Sequence, residues 1–213
     1  YEKAAAVTEQ AILEFDPDAV SPVFAGVAMG RILDAVDFKP LQWPGHGVSD
    51  HQPFQYLDRE YVKADELSAL VRDPSGFYLN TYLPRIMGAF EGFDKFPLFP
   101  GTYYLRTVTA LRPLANPEFR ASLRRVLDAA DEVDRYMTHV GNWNRRIEAC
   151  GYPLINGSNS GAPYDVIADY FRGATGMMKD LFRNKDKLHE AIEVMRANIT
   201  RMTIVNAKAA GHP

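Results

Sequence analysis

Three loops hold the residues best suited to chemistry. In the first, a short apolar run, Tyr152-Pro153-Leu154-Ile155, ends in Asn156-Gly157-Ser158-Asn159-Ser160-Gly161, residues that tolerate tight turns and positive φ. Pro163 then opens a helix, because the first helical turn has no use for the N–H that proline lacks. Backbone donors left free at such a helix start suit an anion or a polar ligand group. Asn156, at the strand end, is the foremost ligand contact predicted, with Ser158, Asn159 and Tyr164 beside it. The loop is not a nucleotide phosphate loop, since it lacks the lysine of that pattern.

The second loop offers Tyr103, Tyr104 and Arg106. A guanidinium clamps a carboxylate through two parallel hydrogen bonds, and tyrosine rings flank a flat ligand or donate to it. The plainer alternative has the tyrosines packing the next helix while Arg106 meets a surface carboxylate. The third loop, residues 39–62, carries Pro40, Pro44 and Pro53 with Gly45 and Gly47. A stretch of that length without regular structure serves as a lid or binding wall. His46 and His51 are its ligand-facing candidates. With Asp50 they do not make a zinc spacing, and no cysteine is near, so no metal site is assigned. No catalytic residue is assigned either.

The elements that must position these loops follow from apolar periodicity and turn residues. Ala4, Val7, Ala11, Ile12 and Phe15 predict a first helix, Ala19 to Phe24 a buried strand, and Gly26 to Val36 a short helix. Helical patterns return over 64–72 and 75–90, broken at Asp73-Pro74. Phe96 to Phe99 predicts a second strand. Asn116 is a good N-cap with Pro117 at the first helical position, and Phe119, Leu123, Val126, Leu127, Ala130, Val133 and Met137 form an apolar stripe behind it. Tyr152 to Ile155 is the third strand. A last helix runs from about Lys185 to Ala210, with Leu188, Ile192, Met195, Ile199, Met202 and Val205 on one face. Short apolar strands alternating with helices predict parallel βα units.

The segment PLINGSNSGAPYDVIADYFRG, followed by MMKDLFRNKDKLHEAIEVMRANITRMTIVNAKAAG, resembles the uroporphyrinogen decarboxylase superfamily. Leu41-Gln42-Trp43-Pro44-Gly45-His46-Gly47 resembles that family's Pro-Gly-x-Gly segment, and together the matches extend over most of residues 15 to 210. The resemblance implies an α/β (β/α)8 TIM barrel. Three strands do not close one, so the expectation is a single domain, 1–213, covering about the first half of the barrel, with 39–62 over its mouth. The start of the chain inside a helical pattern suggests a piece of a longer protein.

The resemblance implies either of two chemistries. In the corrinoid-dependent methyltransferases of the superfamily, a zinc-bound thiolate takes a methyl group from cobalt, and this reading leads. It would bring zinc and a corrinoid protein as cofactor and partner. The decarboxylases instead hold a carboxylate beneath a porphyrinogen to stabilise positive charge on a pyrrole. Here Ala28 falls at that carboxylate's position and Asp169, with Tyr170 beside it, at the position of the family's substrate-facing tyrosine. Both departures count against a lyase acting on a porphyrin precursor, although Asp34 is a possible substitute. A third reading is a non-catalytic barrel fragment or partner-binding subunit.

Composition bounds the rest. The 213 residues are 46% hydrophobic with a net charge of −3, which argues against a nucleic-acid surface. No apolar run reaches the length of a membrane span. A cytoplasmic protein is expected, acting on a small-molecule substrate, with a homodimer as a candidate assembly. Cys150 is the single cysteine and reads as an inert, buried small hydrophobe; Met177, Met178, Met195 and Met202 read as core filler. Arg120, Arg124 and Arg125 with Asp128, Asp131 and Glu132 read as a solvated helix face.

Overall fold

The computed structural model describes residues 1–52, 54–97, 104–155 and 160–209. Eleven stretches of α-helix, three short strands and several tighter or wider turns of helix follow one another among them. The α-helices are α1 (Glu2–Phe15), α2 (Val23–Val27), α3 (Gly30–Val36), α4 (Leu67–Arg72), α5 (Pro74–Phe77), α6 (Leu83–Ile86), α7 (Arg106–Thr109), α8 (Pro117–Ala149), α9 (Pro163–Val166), α10 (Gly173–Arg183) and α11 (Lys185–Ala209). The strands β1 (Leu41–Pro44), β2 (Gly47–Val48) and β3 (Gln55–Tyr56) form one sheet in the order β2–β1–β3, β2 parallel and β3 antiparallel to β1.

This mostly helical architecture overturns the expected half of a (β/α)8 TIM barrel. The run Ala19 to Phe24 is not a strand. Only Val20 pairs, in a single parallel bridge to Leu154, where Val20 N donates to Pro153 O (2.9 Å) and Ile155 N to Val20 O (2.8 Å). Pro22 then starts α2, and Phe24 is buried from a helix. A short apolar run between turn residues suits a buried strand or a buried helical turn equally, and packing decided for the helix. Phe99 lies outside the described residues. The segment 39–62 carries the three strands, turning sharply where Gly45 and Gly47 take positive φ. Gly47, at φ +94°, takes a backbone conformation that other residues rarely adopt, so this turn favours glycine there.

Contacts divide the chain into two compact units, Tyr1–Asp37 with Arg124–Gly157, and Phe38–Leu123 with Ser158–Pro213. The first has an apolar core of Ala5, Ile12, Val20, Phe24, Ala28, Trp143 and Ile147. Phe24 and Trp143 stack with ring centroids 5.5 Å apart, both fully buried. The second gathers Val62, Leu67, Leu70, Phe77, Leu83, Ile86, Ile167, Phe171, Met177, Leu188 and Ala191 with Tyr61 and Tyr82.

Local signals explain the long helices. Asn116 Oδ1 accepts from the backbone N–H of Glu118 (2.8 Å) and Phe119 (3.3 Å), the expected cap of α8. Of its expected stripe, α8 buries Phe119 and partly buries Val126, but not the rest. Phe119, Ser122, Ala129, Glu132, Trp143 and Ile147 face inward, while Leu123, Leu127, Val133 and Met137 stay exposed. Glu132 is therefore not part of a solvated face. On α11 the expected face is buried at Leu188, partly buried at Ile192, Met195 and Ile199, and exposed at Met202 and Val205. Cys150 is exposed rather than buried, and of the four methionines Met178 and Met202 are exposed.

Candidate functional site

The expected site residues fall on separate elements. Tyr103, Asn156, Ser158 and Asn159 lie outside the described residues. His46 is exposed at the β1–β2 turn with its ring on Trp43, centroids 4.6 Å apart. His51 is exposed in the turn beyond β2, Arg106 is exposed at the start of α7, and Tyr164 is 38% exposed in α9. Pro163 does open α9, as its position after the loop predicts. Ala28, at the carboxylate position of the decarboxylases, is buried at the end of α2. No group of three His, Cys, Asp or Glu side chains suited to a metal ion occurs among the described residues.

The densest polar arrangement is elsewhere, in the second unit, and it grows from two π turns. Pro84 follows the first, Tyr78–Tyr82. A proline withholds its N–H and its ring presses on the carbonyl four residues back, and widening the preceding turn relieves both. The second, Ile167–Arg172, runs into Gly173, whose φ of +66° restarts the helix. A Cβ there would lie 2.7 Å from Asp58 Oδ1, the atom that accepts from the N–H of Ala174 at 2.9 Å. The two turns meet where the Tyr82 hydroxyl donates to the Tyr170 carbonyl (3.0 Å) and the Tyr82 ring packs on Phe171 at 4.6 Å.

The second turn delivers Arg172 into the interior, 2% exposed. Its guanidinium donates to Asp180 Oδ2 at 2.5 Å, to Glu60 and to the Val62 carbonyl, while Asn184 Nδ2 holds the other Asp180 oxygen at 2.7 Å. Burial opposes the charge on Arg172, but the hydrogen bonds it donates to Asp180 and Glu60 outweigh it and hold the guanidinium above its ordinary pKa. Nearby, Arg85 forks onto both oxygens of Glu66 (2.7 and 2.6 Å) and also meets the Tyr61 carbonyl. That pairing holds the Glu66 carboxyl down to about 2. Burial raises Tyr82, Tyr61 and Tyr56 above the usual phenol range. The Tyr61 hydroxyl is buried with no hydrogen-bond partner among the described residues.

The first unit has a separate polar cavity of about 420 Å³, bordered by Arg31, Asp34, Arg125, Asp128, Glu132 and Arg135. Glu132 anchors it, accepting from Tyr1 Oη (2.5 Å) and from Arg135 Nε (2.9 Å), with Arg31 3.4 Å away. Burial, then this bond to Glu132, pushes the Tyr1 phenol up to about 12.

Sequence reasoning gave Arg172 no partner and missed Glu60, Asp180 and Tyr82. The available signal was an arginine and an aspartate eight residues apart, Arg172 and Asp180, in a stretch rich in apolar residues. No helix among the described residues is long and apolar enough to cross a membrane. No family model matches the chain, and no curated protein or solved structure matches it either.

Proposed function

We propose that the protein is an enzyme of the uroporphyrinogen decarboxylase superfamily whose reaction is methyl transfer from a corrinoid-bound methyl group to a thiol or a related acceptor. The sequence resemblance over 152–173 and 41–47 motivates it. The observation that carries it is the parallel pairing of Val20 with Leu154. That bridge aligns the two segments in parallel, so that Ser21 and Ile155 lie side by side at the same end of the pairing. The helix start at Pro163 supports it further. Its support is local, since the described residues do not assemble the barrel of that family.

In methyl transfer the acceptor sulfur bonds to the methyl carbon, the cobalt–carbon bond breaks with its electron pair left on cobalt, and the thiol proton goes to solvent. The thiol-activating zinc implied by the resemblance finds no fitting ligand set among the described residues, where Cys150 is a lone exposed thiol. This chain's share is to bind and orient the methyl acceptor. Porphyrinogen decarboxylation has weaker support, because buried Ala28 takes the place of the required anion.

The test incubates the purified protein with methylcobalamin and 2-mercaptoethanol, following the cobalamin spectrum and the thioether. Matched loss of methyl-cobalt and gain of thioether is the expected result. A parallel incubation with uroporphyrinogen distinguishes the second chemistry, whose products carry fewer carboxyls. Decarboxylated products alone, or no turnover in either arm, overturn the methyl-transfer assignment.

A further inference from the structure

Among the described residues, two helical faces carry exposed apolar side chains, and their charges are opposite. On α10 a groove of about 550 Å³ is lined by Ala174, Thr175, Met178, Lys179, Phe182 and Arg183. Phe182 is 85% and Met178 59% exposed. Lys179 and Arg183 run along one side, and no acidic residue lines the groove. On α8 the ridge of Leu127, Ala130, Val133 and Met137 is likewise exposed, Leu127 and Met137 each at 58%. Asp131 and Asp134, both exposed, follow its solvent edge, with Arg124 one turn toward the N-terminus.

The two faces match in length as well as charge. The ridge from Leu127 to Met137 and the helix α10 each extend about 16 Å at 1.5 Å per residue. Apolar stripes of this kind, rimmed by charge, mark interaction surfaces. Pairing α10 with another α10 would oppose Lys179 and Arg183 to their own copies, and pairing α8 with α8 would oppose Asp131 and Asp134 to theirs. Like charges across an interface disfavour both.

We propose that a second copy of this chain lays the acid-edged ridge of its α8 into the basic-rimmed groove of α10. Phe182 and Met178 then pack against Leu127, Val133 and Met137, while Lys179 and Arg183 meet Asp131 and Asp134. The contact is head-to-tail, joining unlike faces, so each added copy presents a fresh face and assembly proceeds beyond a dimer unless it closes into a ring. It does not depend on the methyl-transfer reading, and its test uses no substrate.

Light scattering after size exclusion measures the mass of the full chain at increasing concentration. The mass is expected to rise from 23.9 kDa toward multiples of it, and to fall back at high salt. Two charge-reversed variants, Asp131→Lys with Asp134→Lys, and Lys179→Glu with Arg183→Glu, are each expected to stay at the single-chain mass with unchanged helical circular dichroism. Mixed together they present opposite charges again and are expected to regain the larger mass. A wild type that stays at the single-chain mass overturns the proposal. So do reversed variants that assemble as the wild type does, and a mixture that stays single. Should either pair misfold, Phe182→Ser in the wild-type background must by itself lower the mass, and a mass left unchanged overturns the proposal as well.

Discussion

The two units bury different things at their centres. In the first, Phe24 stacks on Trp143, two rings from segments more than a hundred residues apart, and the buried carboxylate of Glu132 is met by Tyr1 and by the exposed guanidinium groups of Arg31 and Arg135. In the second, an apolar cluster surrounds a buried guanidinium satisfied by two carboxylates and a carbonyl. Apolar burial tolerates approximate geometry, whereas a buried charge survives only with nearly every partner in place. The second unit is therefore the more specific and the more easily broken.

Removing one partner tests that difference most severely. Asp180→Ala leaves Arg172 buried without one of its two carboxylates, and a loss of about 3–5 kcal/mol is expected in urea unfolding, read by hydrogen exchange of the amides in α10 and α11. The double change Arg172→Met with Asp180→Leu sharpens the point, since replacing a buried pair by apolar residues of similar size is often neutral or stabilising. A double variant weaker than Asp180→Ala alone would show that the ion pair itself, not the orphaned charge, holds this unit.

For the first unit, Phe24→Ala opens a cavity against Trp143 and is expected to cost about 3–4 kcal/mol. The chain has two tryptophans, so in a Trp43→Phe background Trp143 alone reports this unit by fluorescence. A loss below about 1 kcal/mol would mean that the ring stack is incidental, because burial of a full phenyl ring is worth more than that.

Smaller effects separate local from tertiary stabilisation. Asn116→Ala removes the α8 cap and is expected to cost about 1 kcal/mol, with Asn116→Asp restoring it. The Glu66 carboxyl, held at about 2 against an ordinary 4.5 by Arg85, contributes stability that is complete above pH 4.5 and is lost as pH falls toward 2. Solvent reaches this pair, which keeps the effect modest. Thermal unfolding from pH 6 to pH 2.5 is expected to show a fall that Glu66→Gln flattens. An unchanged acid limb in that variant would remove Glu66 from the balance.

Much of the helical layout was legible because its signals are local. Asn116 and Pro117 announce α8, Pro163 announces α9, and the apolar spacing from Leu188 announces α11. The strands were not legible. Val20 and Leu154 lie in runs too short for periodicity to separate strand from helix, and a parallel bridge depends on a partner more than a hundred residues away. The candidate site fared similarly. Arg106, His46, His51 and Tyr164 are visible as residue types, but four residues on separate segments do not make a cluster until packing brings them together. Arg172 was visible, but its partners were not: Asp180 on its helix looks solvated until a neighbouring element covers it, and Glu60 meets Arg172 from 112 positions away along the chain.

The sequence by itself determined where helices start and which turns need glycine, since capping, proline's missing N–H and positive φ act within a few residues. Only the tertiary structure decided which face of each helix is buried. On α8 the apolar stripe and the face carrying Ser122, Glu132 and Trp143 competed for the interior, and the second prevailed. The reason is physical: a helix buries the face that finds complementary partners, and no pattern along one helix says what the rest of the chain will present to it.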